Sequence, residues 1–403
     1  MNCNFHKDRK RKRTNKLRGG YGFGRHCLSL YVVKYAVSMK RMIPILAVLS
    51  LLGCGTACHP EENGTEPTEQ TDPSGPTEPT GPTEPTEPTV VLVTGITLNE
   101  TSVPLLVGEG ATLTAVVVPD NAGNRAVSWT SSDGSIAKVD GNGKVSAVAR
   151  GKADIIVSAR DGSGISATCT ILVSNPCPEG AIDMGSTTAE GIKVYWAPVN
   201  LTATGFAGTQ NETGDYFAWG ETQPYYTSMD PLVWKDGKSE GYAWTSYQWF
   251  KGQQSDKNAI VSKYCWKEST AYWGGSGEPD GKSVLDPEDD AAHVILGGKW
   301  RMPTNEEFSN LRAVCQRKWT SVNGRNGLLL TASNGNTLFF PGTDEWWGSS
   351  LSRMQNYQSK YWSSSLLEGG AGYAYFMAAD VNGMGPRSMA SRVLGMAIRP
   401  VSD

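Results

Sequence analysis

Apolar and polar positions follow four successive regimes along the chain. Between Met42 and Leu52 lies an eleven-residue apolar run preceded by Lys40 and Arg41, and between Pro60 and Thr89 no apolar side chain other than proline occurs. From Val91 to Val173 the pattern changes to short β-type runs. Ile165, Ala167, Cys169, Ile171 and Val173 alternate with Ser166, Thr168, Thr170 and, less cleanly, Leu172, which places the first set on one face of a strand. Leu113, Ala115 and Val117 repeat the alternation. Ile136 to Val139 and Lys144 to Val148 flank Asp140-Gly141-Asn142-Gly143, whose residues tolerate positive φ, so this pair predicts a hairpin. Several short strands in about 80 residues predict a β-sandwich, with Trp129 filling its core and Cys169 an inert buried thiol.

The remaining residues, 177–403, carry twelve of the thirteen tryptophans. Gly327 to Thr331 and Thr337 to Phe340, joined by Ala332-Ser333-Asn334-Gly335-Asn336, read as a second hairpin. One helix is well signalled: Thr304 as N-cap and Glu307 three residues on form a capping box, and Phe308, Leu311 and Val314 or Cys315 supply an apolar face. The predicted class is an all-β sandwich followed by an α+β domain with a minority of helix, hence multidomain.

The apolar run is about half the roughly 20 residues a spanning helix needs, which fits the h-region of a signal peptide. Leu51-Leu52-Gly53-Cys54 resembles the bacterial lipobox, so Cys54 is the expected lipidated first residue of the mature chain, with Cys58 the alternative. Met39-Lys40-Arg41 makes a sound signal start. The basic residues 7–18 then belong to a mis-annotated start or a long n-region, and a nucleic-acid arm is disfavoured. The expected organisation is a leader over 1–53 (signal peptide 39–53), a linker over 54–90, an immunoglobulin-like domain over 91–174 and a terminal domain over 177–403. Without residues 1–53 the chain holds 25 basic and 39 acidic residues, a net charge of −14, which disfavours polyanionic partners. Glu-Pro-Thr recurs at 66–68, 78–80, 84–86 and 87–89, a solvated stalk reaching on the order of 90 Å at about 3.1 Å per residue.

Two family resemblances overlie these patterns. "VTGITLNETSVPLLVGEGATLTAVVVPDNA", "VSWTSSDGSIAKVDGNGKVSAVARGKADI" and the strand through Cys169 resemble the bacterial immunoglobulin-like group 2 family, which implies a rigid extracellular spacer or adhesion module. "VYWAPVN", "GDYFAWGET", "SKYC", "LDPEDDAAHVILGGKWRMPTNEEFSNLRAVC", "FFPG", "YWSSS" and "AIRPV" resemble, in order, the Fibrobacter succinogenes major paralogous domain, itself similar to the C-type lectin fold. The implied activity is display of a binding surface, the ligand unspecified. His59-Pro60-Glu61-Glu62 is similar to the acidic export signals of Bacteroidota lipoproteins.

Exposed Trp and Tyr rings stack on sugars or anchor protein interfaces. Trp234, Trp244, Trp249, Trp346 and Trp347 are therefore the candidate ligand-binding residues, set against a core-filling role. Asp286, Glu288, Asp289 and Asp290 form the densest acidic cluster and a candidate calcium site, although neither EF-hand nor lectin calcium motifs occur and Glu278-Pro279-Asp280 departs from the lectin pattern. The alternative is that Asp289 and Asp290 cap a helix or pair with Arg301. Catalysis is poorly supported. His293 is the one histidine outside the leader and stalk, and Asp215 with Glu221 is a nominal carboxylate pair whose separation sequence cannot supply. Cys265 and Cys315 are candidates for a disulfide. The expected protein is a non-enzymatic outer-membrane lipoprotein on the extracellular face. It has no cofactor beyond the calcium option, and its partners are the membrane through acyl chains and a glycan or protein ligand. An enzyme acting on polysaccharide, or a structural fimbrial or envelope component, is the alternative; diversification within Gly383 to Ser391 is a further option.

Overall fold

The computed structural model describes residues 89–252, 259–265, 274–276, 280–370 and 372–403. The leader, Cys54, Cys58, nearly all of the linker, and Glu278 and Pro279 lie outside the described residues. Those described belong to one compact unit, and none of their helices is long and apolar enough to cross a membrane.

The first segment is a two-layer β-structure. In one layer Ser102–Leu106 runs parallel to Ser166–Ser174, which pairs antiparallel with Gly151–Ala159, followed by Val127–Ser131. Gly110–Thr112, Lys144–Ala147 and Ala137–Val139 form a second sheet, and Gly95–Leu98 pairs with Ala115–Val118. The period-two residues meet between the layers: Ile155, Cys169, Ile171 and Val173 pack with Leu113, Ala137 and Val145. Burial pushes the Cys169 thiol above its ordinary 9.0, as an inert core cysteine requires. Trp129 is half-buried against this cluster. The hairpin turn forms where expected. Asp140 Oδ1 accepts from the amides of Asn142 and Lys144, both at 2.9 Å, and Gly143 takes φ +79°. A Cβ on Gly143 would stand 2.4 Å from Leu113 O and 2.9 Å from Trp129 Cζ2, so glycine is needed for both reasons.

The second segment is held by an antiparallel sheet that gathers distant stretches: Ile182–Thr187, Lys193–Trp196, Val401–Ser402 and Trp300–Arg301. Two three-stranded meanders pack beside it. They are Gln316–Val322 with Arg325–Thr331 and Thr337–Pro341, and Gln358–Leu366 with Tyr373–Asp380 and Gly383–Ser391. Two α-helices occur among the described residues, α1 (Ala291–Leu296) and α2 (Asn305–Val314). The α2 capping box is complete: Glu307 N donates to Thr304 Oγ1 at 3.2 Å and Thr304 N to Glu307 Oε2 at 2.8 Å. The molecule is thus multidomain and mostly β, with a minority of helix in its second segment.

Fully buried Arg399 ties this segment together. Its Nε donates to Asn200 Oδ1 (2.8 Å), Nη1 to the carbonyls of Ala197 and Pro198 (both 3.2 Å) and Nη2 to that of Phe339 (2.9 Å), with the guanidinium over the Phe340 ring. Between the two segments, Asn175 Nδ2 donates to Asp403 O at 2.9 Å, Tyr195 OH to Asn175 O at 2.7 Å, and Arg150 pairs with Asp403 at 3.1 Å.

Candidate functional site

The short hairpin Glu345–Trp347 with Ser350–Ser352 sets two adjacent tryptophans to opposite fates. Successive strand residues point to opposite faces, so Trp346 turns inward at 3% exposure while Trp347 is 69% exposed. Trp346 packs on Trp234 (5.2 Å between ring centroids) and on Tyr242 (6.1 Å). Trp244 is buried against Tyr247 and Phe250, and Trp249 is half-buried against Tyr264 and Tyr247. Of the candidate residues Trp234, Trp244, Trp249 and Trp346, Trp244 and Trp346 are buried and Trp234 and Trp249 half-buried, so they do not form one exposed face. Their rings fill an aromatic core, because the short strands and loops around them carry few aliphatic side chains to do so. Trp347 keeps the exposed position and borders a small pocket shared with Tyr242, Trp244 and Tyr373.

On the inward side of the same hairpin opens a larger polar cleft of about 920 Å³. Its walls come from the loop 211–216, the hairpin Tyr226–Met229 with Leu232–Trp234, and the stretch 344–355. Two carboxylates brace these loops. Asp215 accepts from Tyr226 OH (3.0 Å) and Ala203 N (2.8 Å), and Asp344 Oδ1 from the amides of Met354 (2.8 Å) and Gln355 (3.1 Å). Asp344 N donates in turn to Tyr216 OH at 3.2 Å. Burial, reinforced by the Asp344 charge, pushes the Tyr216 phenol up to about 12.

Three residues lining this cleft keep a buried polar atom without a hydrogen-bond partner: Asn211 Oδ1, Arg325 Nε and Trp346 Nε1. Arg325 is otherwise anchored, its Nη2 donating to Gly342 O at 2.7 Å. Seven such atoms occur among the described residues, and three of them belong to residues of this one cleft, which makes it the candidate site. Asp215 belongs to this cleft; Glu221 does not line it. Glu221 Oε1 is engaged by Tyr225 OH (2.7 Å), Gln248 N (2.9 Å) and Lys238 Nζ (3.3 Å), so the nominal carboxylate pair is not assembled there. No pattern in the sequence marks Asn211 or Arg325, whose shared place in the cleft arises only from the meeting of loops more than a hundred residues apart.

The acidic cluster is organised around a lysine. Oxygens of Asp286, Glu288 and Asp289 lie within 4.8 Å of one another, and Lys263 Nζ stands 3.2 Å from Asp286, 3.6 Å from Glu288 and in direct contact with Asp289. An ammonium thus already neutralises the donor set a calcium ion would use, and Lys282 also pairs with Asp286. Asp290 is apart from them: it caps α1, accepting from His293 N at 3.0 Å, and takes Met302 N at 2.8 Å. Of the two expected roles for Asp289 and Asp290, capping a helix or pairing with Arg301, Asp290 takes the first, while Arg301 pairs instead with Glu307 (2.6 and 2.8 Å) and Asp403. The His293 ring is turned to Trp300 O, with Nδ1 at 3.2 Å. Cys265 Sγ contacts Val261 O and Cys315 Sγ contacts Met184 O, so the expected pairing between these two cysteines is absent.

These features define a multidomain, mostly β protein in which an immunoglobulin-like segment precedes a domain with a polar cleft. Residues 92–171 match the bacterial Ig-like domain (group 2) family. An uncharacterised protein of Clostridium acetobutylicum is 48% identical over 84 residues, 21% of this chain and 9% of the relative. A lacto-N-biosidase of Bifidobacterium bifidum is 39% identical over 88 residues, 22% of this chain and 8% of the enzyme. Among solved structures, an intimin mutant of EHEC O157:H7 is similar at 20% identity, covering 23% of this chain and 55% of that one, with a TM-score of 0.17. The chain therefore spans only a small part of the curated relatives it matches.

Proposed function

We propose that this chain is a lipoprotein of the outer membrane, displayed on the extracellular face, whose terminal domain recognises a glycan or protein without catalysing a reaction. Acyl chains on Cys54, or on Cys58, tether it; the Pro-Thr-Glu stretch and the immunoglobulin-like segment hold the C-type-lectin-like head away from the bilayer. The observation carrying the reading is the 920 Å³ cleft with its three unpartnered polar atoms, whose volume falls within the range of small-ligand sites. Support for a non-enzymatic role comes from Asp215 and Glu221 each being held by its own hydrogen-bond partners and from His293 being turned to a backbone carbonyl.

Two measurements test it. Cells expressing the full chain are fed an alkyne palmitate analogue; an unlabelled polypeptide recovered from the cytosol would remove the tether. The purified chain is screened against glycan arrays, mucin and host-matrix proteins, and silence on all three would remove the recognition role.

A further inference from the structure

We infer that the cleft beside Trp346 is a subsite for an uncharged oligosaccharide, read by hydrogen bonds from Asn211, Arg325 and Trp346; this rests on the recognition role proposed above. The three orphaned atoms are of mixed type. Trp346 Nε1 and Arg325 Nε can only donate, while Asn211 Oδ1 can only accept. A sugar hydroxyl both donates and accepts, so a run of hydroxyls satisfies all three. A carboxylate or sulfate serves only the two donors, and an apolar side chain serves none.

Charge points the same way. The walls include Glu212, Asp215, Asp230 and Asp344 against Arg325 and Arg353, an acidic balance that repels anionic sugars. Both Asp215 and Asp344 already accept hydrogen bonds from the loops they brace, which fixes their orientation in the walls. At the rim, Met229 and Leu232 are each 39% exposed and offer apolar contact to the C–H faces of a pyranose. A protein loop would bring sparse peptide groups to a cleft whose walls are mostly polar and whose residues Asn211, Arg325 and Trp346 offer both donors and an acceptor, a set that clustered hydroxyls match better.

The three atoms are themselves covered in the ligand-free protein, so entry of a hydroxyl requires rim side chains to change rotamer, an ordinary event on binding. Leaving such atoms unpaired is costly, and a ligand that pairs them recovers that cost.

The test uses the full chain on an array of neutral and sialylated or uronate-bearing oligosaccharides, followed by calorimetry with the strongest neutral one. Trp346→Phe removes the indole N–H and keeps a packed ring; Asn211→Ala removes the acceptor from a half-buried loop position. Each is expected to weaken the neutral glycan by about tenfold, the worth of one hydrogen bond to an otherwise orphaned group, with the thermal transition within a few degrees of the parent. Neutral-glycan binding that neither variant alters would overturn the assignment to this cleft while leaving the recognition role intact. Binding of acidic glycans alone, or of a protein alone, would overturn the ligand class. Loss of all binding by the parent chain would sink both readings.

Discussion

Arg399 offers the sharpest test of how the terminal domain is held together. Arg399→Met keeps most of the stem volume and deletes every donor, leaving Asn200 Oδ1 and the carbonyls of Ala197, Pro198 and Phe339 without the partner each now has. Orphaning a buried acceptor costs roughly 1–3 kcal/mol, so four cost about 8 kcal/mol. Against this stands the relief of burying a charge. Burial pushes the guanidinium down from 12.5 to about 10, which corresponds to about 3 kcal/mol recovered when the charge is removed. The acceptors win, and the net loss is about 4 kcal/mol after some local relaxation. For a domain of this size that lowers the midpoint by roughly 12 °C. Tryptophan fluorescence during urea or thermal unfolding reports the right domain, since twelve of the thirteen tryptophans follow residue 177. A loss below about 1 kcal/mol, or a gain, would mean that the desolvation of the charge outweighs its hydrogen bonds, and the reasoning would fail.

Three further outcomes follow from local geometry. Gly143→Ala forces a side chain into a positive-φ turn already in contact with Leu113 O, and should destabilise the immunoglobulin-like segment by about 2 kcal/mol in circular-dichroism melts; an unchanged melt would refute the close approach. Thr304→Ala breaks the capping box of α2 and is expected to cost about 1 kcal/mol in chemical denaturation, with Thr304→Ser retaining most of it, an ordering whose reversal would contradict the cap. Asp140 is held below its ordinary 3.8, first by the Lys144 amide and then by that of Asn142, so its stabilisation is complete above that value and lost as pH falls through the lower folded-state value. Asp140→Asn should flatten the acid limb of the stability profile of this segment, and an unaltered limb would disprove the coupling.

What could be read in advance was local. The alternation ending at Val173 placed Cys169, Ile171 and Val173 in the core, and both the Asp140–Gly143 turn and the Thr304–Glu307 cap depend on residues within four positions of one another. The aromatic residues resisted because burial of a ring on a three-residue strand depends on what arrives from elsewhere. Trp346 and Trp347 have nearly the same sequence surroundings, and only Trp234, Tyr226 and Tyr242 folding over one face separates them. The acidic cluster invited a cation because Lys263 lies more than twenty residues upstream, and Arg301 reached Asp403 through a sheet that no short-range pattern announces. The orphaned atoms of the cleft belong to the same category of long-range fact.

The parallel pairing of Ser102–Leu106 with Ser166–Ser174 has a mechanical consequence. Ser102 lies opposite Thr170 and Leu106 opposite Ser174, so tension entering ahead of the first strand and leaving through Asn175 drags the two strands in opposite senses along their shared axis. Every rung of that ladder is then sheared at once, where a hairpin pulled from its open end would unzip one bond after another. The strength of such a joint is set by the sum of its rungs instead of by the weakest.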